Sequence, residues 1–386
     1  MAKIGIMGGT FNPIHIGHIE MAENAKKRLN LEKVFFITGG NTPHKDANGI
    51  LDAKIRHEMV EKSVKKIKGL EALDYEIKKD GFSYTAETLA YLKEKYPKDD
   101  LYFILGADSL DYIDKWHKPE EIFRLAKLAV FDRNKYDSRK KADELLEKYK
   151  GQIIYLDGEI TDISSTKIRL FVDMGLDISK YVPKQASEII KKKKLYLGKY
   201  TKLREEMEKV LEPKRFLHTL GVAKTAVAMA EEFGEDIEKA YVAGILHDCA
   251  KNIPTDEMFR LCEENNVELD EFERTHPVLV HAKLGAYLAK AKYGVEDEDI
   301  INAIMWHTLG RCEMSKLEKI VFVADMAEEG RTFIWAELLR LEAFRNLDRA
   351  MLMSMDETIK YNEKKGFEVH KAAYRVRRHF KDLVGE

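Results

Sequence analysis

Cysteine is scarce. Three residues, Cys249, Cys262 and Cys312, are too few, too widely spaced and odd in number for a disulfide framework, so a reducing, cytoplasmic setting is expected. Charge of one sign is also lacking. The 65 Lys and Arg against 67 Asp and Glu leave a formal −2, so nothing points to a nucleic-acid or membrane binder. No apolar run is long enough to span a bilayer. The opening MAKIGIMGGT has one lysine and runs straight into a glycine turn, so it does not read as a signal peptide. Internal repeats and low-complexity stretches are absent as well. What is there is a globular composition, 45% hydrophobic and 34% charged. A chain of 386 residues exceeds one ordinary core and suits two domains.

The halves differ in pattern. In the first, apolar runs ending in Gly or Asp (KIGIMGG, VFFITGG, LYFILGAD, LAVFDR, IIYLDG) alternate with helix-period segments such as HIEMAENAKKRL and YTAETLAYLKEKY. That alternation predicts an α/β domain with a parallel sheet covered on both faces, and ligands outside the carboxyl ends of its strands. In the second half helical periodicity dominates, with Leu217, Gly221, Val222, Thr225, Met229 and Phe233 repeating at three and four. The lysine run 191–194 reads as the end of an amphipathic helix, and the division is placed at 1–197 and 198–386.

The segment GGTFNPIHIGH, residues 8–18, carries the first chemistry. Gly8 and Gly9 follow a strand and let a ligand approach the backbone. His18 would begin a helix, whose N–H groups favour an anion. His15 and His18 add donors that titrate near neutrality. Two surface histidines at a helix start is the simpler alternative. The glycines, Thr10 and the preceding strand favour a triphosphate site that steadies charge at the α-phosphorus.

This segment resembles the (H/T)xGH signature of the nucleotidyltransferase superfamily. With NTPHK (41–45), SYTAETL (83–89), ILGADSL (104–110), DKWHKPEEI (114–122), VFDR (130–133) and ISSTKIR (163–169), residues 1–197 resemble bacterial nicotinate mononucleotide adenylyltransferases. The resemblance implies a Rossmann-like nucleotidyltransferase domain using ATP with Mg²⁺ and nicotinate mononucleotide. It assigns His15, His18, Lys45 and Arg133 to the reacting phosphates. Nucleotide binding falls to Gly8, Gly9, Thr10, Phe11, Gly106, Asp108, Ser164, Ser165, Thr166 and Arg169. Thr85 and Trp116 would frame the nicotinate ring, with Trp116 stacking on it. Asn12 stands where many relatives have Asp, a change expected to be tolerated because both side chains accept a turn hydrogen bond.

The second half holds another set: His218 beside Val222 and Thr225, adjacent His247 and Asp248, His276 and His281, His307, and Asp325. Each lies in or beside an apolar helical run, where a polar side chain needs a partner. Any one could be a satisfied core residue. Together they point to a shared partner, a metal, and the His/Asp mixture suits Fe, Mn or Zn.

Their order, His, His-Asp, His, His, Asp, resembles the two-metal form of the HD phosphohydrolase superfamily. RFLHTLGVA, ILHDCAKN, WHTLGR and EKIVFVADMAEEGR are similar to the YqeK-like HD hydrolases, which cleave diadenosine tetraphosphate symmetrically to two ADP. The resemblance implies an all-α domain holding two transition-metal ions, iron ahead of manganese, on His218, His247, Asp248, His281, His307 and Asp325. His281 is preferred to His276 because a glycine lies four residues on, as in the HD pattern. Lys251 is assigned to phosphate and Cys249 to core packing. A nucleoside monophosphate or deoxynucleotide substrate, or a regulatory module that binds a nucleotide without turnover, stays open. The complete ligand set argues against the last. The sequence allows a homo-oligomer and does not define one.

Overall fold

The computed structural model describes residues 1–40, 49–132 and 139–386. It divides into two compact units, Met1–Gly198 and Lys199–Glu386.

The first unit is built on a six-stranded sheet: β1 (Lys3–Gly9), β2 (Lys33–Thr38), β3 (Leu70–Leu73), β4 (Asp100–Gly106), β5 (Lys127–Phe131) and β6 (Ile153–Leu156). The order is β3-β2-β1-β4-β5-β6 and every pairing is parallel. Ile4, Ile6, Val34, Phe36, Phe103, Leu128 and Val130 are all buried, as expected of parallel strands covered on both faces. The helices of this unit are α1 (Ile16–Leu29), α2 (Ala53–Val64), α3 (Thr85–Lys95), α4 (Pro119–Leu125), α5 (Arg139–Tyr149), α6 (Ser165–Met174) and α7 (Lys184–Lys192). The chain leaves β1 towards β2 and β3, then returns on the other side of β1 as β4. This reversal opens a crevice at the carboxyl ends of β1 and β4.

The expected strand runs all form strands. The short edge strand β3 was not expected, because LEAL is half-exposed and has no long apolar run. Helix α1 starts at Ile16, two residues before the expected start at His18. His15 is its N-cap, and the Ile16 N–H donates to the Tyr181 carbonyl at 2.9 Å, a tertiary bond that local pattern does not reveal. The lysine run closes a helix, as expected: α7 ends at Lys192.

The second unit is helical: α8 (Lys199–Val210), α9 (Pro213–Phe233), α10 (Ile237–Leu246), α11 (Thr255–Glu264), α12 (Glu271–Thr275), α13 (Val280–Ala291), α14 (Glu298–Trp306), α15 (Lys316–Ala327), α16 (Ala336–Ala343), α17 (Leu347–Lys365) and α18 (Lys371–Val384). Helices α9 and α10 approach closely at Gly244, where an added Cβ would lie 2.7 Å from the Ala223 Cα. Val222 and Met229 turn inward as the periodicity predicts. Leu217, read as part of that face, is instead 68% exposed, because at α9's first turns the inward positions fall to polar His218. Among the described residues no helix is long and apolar enough to cross a membrane.

Candidate active sites

A cavity of about 580 Å³ lies in the crevice of the first unit. The end of β1 supplies Gly8 and Gly9 to its wall, the turn after it Thr10 and Phe11, and α1 supplies His18. Phe11 takes a positive φ of 48° and packs its ring edge-on to His18 at 5.0 Å. Gly9 leaves room for that ring, since an added Cβ would come within 3.0 Å of it. His15 is buried beneath His18, the two rings stacked at 3.6 Å. The His15 backbone N–H donates to His18 Nδ1 at 3.2 Å. A neutral His18 therefore carries its proton on Nε2, as a donor suited to a phosphate oxygen.

A second turn closes the same wall. Ser164 caps α6, accepting from the Lys167 N–H at 3.2 Å. Ser165 Oγ donates to the Pro13 carbonyl at 2.8 Å, and Arg169 donates to the Asn12 carbonyl at 2.9 Å and to Thr166 Oγ1 at 3.1 Å. Ser165, Thr166 and Arg169 all line the cavity. Asn12 is buried and uses both ends of its amide: Nδ2 donates to the Gly49 carbonyl at 2.9 Å, and Oδ1 accepts from the Leu51 N–H and the Tyr196 hydroxyl. An ionised Asp could accept but could not make the Gly49 bond.

From β4, Gly106 and Asp108 face the cavity. An added Cβ on Gly106 would lie 2.5 Å from Asp108 Oδ1, so glycine makes space for that carboxylate. Trp116 lines the cavity while packing edge-on to Phe103 at 6.2 Å, so it is both wall and partial core. Thr85 opens α3 and is not part of the lining. Lys45 and Arg133 lie outside the described residues.

In the second unit five helices bring polar side chains to one place. His218 lies on α9, His247 and Asp248 follow α10, His281 lies on α13, His307 caps α14 and Asp325 lies on α15. Three of the histidines share one device. His247, His281 and His307 each direct Nδ1 to the carbonyl three residues earlier (Gly244, Val278, Ile304), at 2.7, 2.7 and 2.6 Å. Nδ1 is the donor in each, which turns the Nε2 lone pairs inward. His281 Nε2 and His307 Nε2 lie 3.2 Å apart, and His281 Nε2 lies 3.2 Å from Asp248 Oδ1. Burial pushes His281 down and His307 down to about 3, so both are neutral. Burial alone would raise the Asp248 carboxyl, but the neighbouring His247 holds it well below its usual range. His247 Nε2 is fully buried without a hydrogen-bond partner.

Converging lone pairs and carboxylates are a donor set for cations, not for one another. Among the described residues, three overlapping groups have ligand atoms within 4.8 Å of one another: His218/His247/Asp248, His247/His307/Asp325 and Asp248/His281/His307. His218 differs from the others in that its Nδ1 faces a buried carboxylate, Glu328 Oε1, at 3.1 Å. Its Nε2 lies 2.9 Å from Asp325 Oδ1.

Residues 6–171 match the family model described as cytidylyltransferase-like, and residues 215–329 match the HD domain. The "Probable nicotinate-nucleotide adenylyltransferase" of Clostridium tetani is 44% identical over 201 residues, 51% of this chain and 100% of the relative. A protein of the same name from Clostridium perfringens is 43% identical over 199 residues, 51% of this chain and 98% of its own length. Through its first half, the chain belongs to the nicotinate-nucleotide adenylyltransferase family. Its second half carries an HD domain. A solved structure from Clostridium acetobutylicum, described as a "predicted HD superfamily hydrolase involved in NAD metabolism", is 40% identical, covers 48% of this chain and 97% of its own, and superposes with a TM-score of 0.47.

Within the adenylyltransferase half, sequence reasoning missed Arg56. This side chain is buried and donates to the carbonyls of Thr10 at 2.5 Å and Leu51 at 2.8 Å. It ties the turn after β1 to the chain entering α2, and burial lowers its pKa. Nothing in IRHEMV distinguishes it from a surface arginine. Within the HD domain, His281 enters the cluster, whereas His276 stacks on Phe272 at 3.8 Å and bonds to that residue's carbonyl. Lys251 Nζ packs against the His281 ring at 3.2 Å, with its pKa lowered by burial. Cys249 is buried, outside these groups, as expected. Also missed were Glu328, Arg215, bonded to Asp248 at 2.9 Å, and Arg331, bonded to Asp325 at 2.6 Å. The only local signals were an Arg one turn before His218 and an Arg six residues after Asp325.

Proposed function

We propose that the chain is a bifunctional nucleotide enzyme. The first unit transfers AMP from ATP, carried with Mg²⁺, to nicotinate mononucleotide. The mononucleotide's 5′-phosphate oxygen attacks the α-phosphorus, the bond to the β-phosphate bridge breaks, and pyrophosphate leaves. His18 donates from Nε2 to a phosphate oxygen while His15 holds its ring. Thr10, Ser164, Ser165, Thr166 and Arg169 cradle the remaining phosphates, and Lys45 and Arg133, outside the described residues, keep the phosphate role that the family resemblance implies. Asp108 faces the ribose, and Trp116 and Thr85 frame the nicotinate ring. Catalysis is then positioning plus charge stabilisation, without a covalent intermediate. The supporting observation is that two helix-start turns, distant in sequence, meet on one cavity through Ser165, Arg169 and the 12–13 carbonyls. His18→Ala is expected to lower adenylyl transfer by orders of magnitude, and activity within a few-fold of the parent would overturn the assignment.

The second unit hydrolyses diadenosine tetraphosphate to two ADP. Two transition-metal ions, iron ahead of manganese, would be held by His218, His247, Asp248, His281, His307 and Asp325. When bound, they supply an activated water and polarise the phosphoryl oxygens. The side chains' own work is to fix ring tautomers and hold the carboxylates ionised. Lys251 adds a cation beside His281. The supporting observation is the inward-turned Nε2 set around Asp248. Product analysis on the full chain supplied with Fe or Mn tests this. ADP alone is expected, ATP plus AMP would refute symmetric cleavage, and binding without turnover would favour a regulatory module.

A further inference from the structure

Beside the His/Asp cluster lies a cavity of about 560 Å³, lined among the six proposed ligands by His218 alone. One wall is the first turns of α9, with Lys214, Arg215 and Leu217; the other is the turn after α15, with Glu329, Gly330 and Arg331. The lining holds three cations and three acids, and two of the acids are already engaged. Glu328 is committed to His218 Nδ1 and to the Gly330 N–H, and Glu329 pairs with Lys224 at 2.8 Å. Glu212, the N-cap residue of α9, completes the acidic lining. Each arginine is anchored at one end. Arg215 uses Nη1 on Asp248 Oδ2, and Arg331 uses Nε and Nη2 on the Asp325 carbonyl and carboxylate. A guanidinium has five N–H donors, and these two side chains remain 34% and 28% exposed. Both therefore reach from a cluster carboxylate to the cavity. The positive end of the α9 dipole lies on the same wall, and exposed Leu217 adds an apolar surface beside it.

We propose that this cavity is a polyphosphate arm, holding the phosphates of a nucleotide beyond the one at the cluster, with Arg215 and Arg331 at the junction and Lys214 further out. This rests on the hydrolase reading and sharpens it, since it selects nucleotides with a chain of phosphates over nucleoside monophosphates. The full, metal-loaded chain is titrated calorimetrically with inorganic tripolyphosphate, and metal content is measured by atomic emission. Lys214→Gln is the decisive variant, because Lys214 makes no hydrogen bond or ion pair with the cluster among the described contacts. Arg215→Gln is its companion. Each is expected to weaken tripolyphosphate binding about tenfold, the loss of one charge-assisted contact, with metal retained. Because the substitutions lie in the second unit, the change in heat belongs to it even though the first unit also takes phosphates. KM for diadenosine tetraphosphate is expected to rise about tenfold more than KM for p-nitrophenyl phosphate, which has no chain to lose. Unchanged tripolyphosphate affinity in Lys214→Gln, or equal losses on both substrates, overturns the arm and leaves the hydrolase standing. A metal-loaded parent that hydrolyses neither substrate overturns the hydrolase, and the tripolyphosphate titration still decides the arm.

Discussion

Glu328→Gln isolates the contribution of a carboxylate that touches no proposed metal position itself. The side chain is 5% exposed and its Oε1 lies 3.1 Å from His218 Nδ1. Its other oxygen accepts the Gly330 N–H at 2.6 Å. Gly221 lets the side chain cross α9, since an added Cβ there would collide with the carboxylate. Gln keeps the shape, but its single oxygen is needed by the Gly330 N–H, which leaves its NH2 facing His218 Nδ1, so the charge and the hydrogen bond behind His218 are lost together. A charge-assisted hydrogen bond contributes about 1.5–3 kcal/mol, and about 1.4 kcal/mol is a tenfold change in affinity. Metal affinity should therefore fall between about 10- and 100-fold, the range usual for a carboxylate that orients a metal-bound imidazole. Titration of chelator-stripped full chain with Mn²⁺ measures it directly. Thermal unfolding adds a second reading: at fixed Mn²⁺ the metal-induced gain in melting temperature should be smaller in the variant than in the parent. Equal Mn²⁺ affinity in parent and variant would refute the role given to Glu328.

Three further outcomes are expected. Arg56→Lys leaves one of the two close carbonyl contacts unmade, so urea unfolding of the first unit should lose about 1.5–3 kcal/mol and adenylyl transfer should fall in kcat; unaltered unfolding and kcat would remove Arg56 from the site's support. Trp116→Ala should raise KM for nicotinate mononucleotide by the equivalent of about 1–3 kcal/mol while ATP changes little; equal losses for both substrates would leave only its packing on Phe103. Chelation should destabilise the second unit and leave the first folded, and His281→Ala but not His276→Ala should lose the metal, as read by emission spectroscopy; retention by His281→Ala would remove it from the ligand set.

Much of the architecture could be read along the chain. Apolar runs closed by Gly or Asp mark β1, β2, β4, β5 and β6, because a buried parallel strand needs nearly every side chain apolar. Helical period and the polar residues set within it mark α9, α10, α13, α14 and α15, because a histidine on an apolar face needs a partner. Those are short-range signals, carried within a few residues, and they sufficed for the two-part division and for a set of polar residues on apolar helices, from which the resemblance to HD hydrolases picked the six candidate ligands. β3 escaped because its strand character comes from its neighbour β2, not from its own four residues.

Tertiary structure alone decided which side chains meet. Ser165 reaches the Pro13 carbonyl across 152 positions, and Glu328 reaches His218 across 110. Arg56, Arg215, Glu328 and Arg331 look like ordinary surface charges until the fold brings their distant partners to them. His276 and His281 lie five residues apart, and only the fold separates them: His281, on α13, meets Asp248, while His276, just after α12, folds back on Phe272. The reason is physical: propensity and period are set by bonded neighbours, whereas hydrogen bonds, ion pairs and metal geometry act over a few ångströms of space, and only the folded chain fixes those distances.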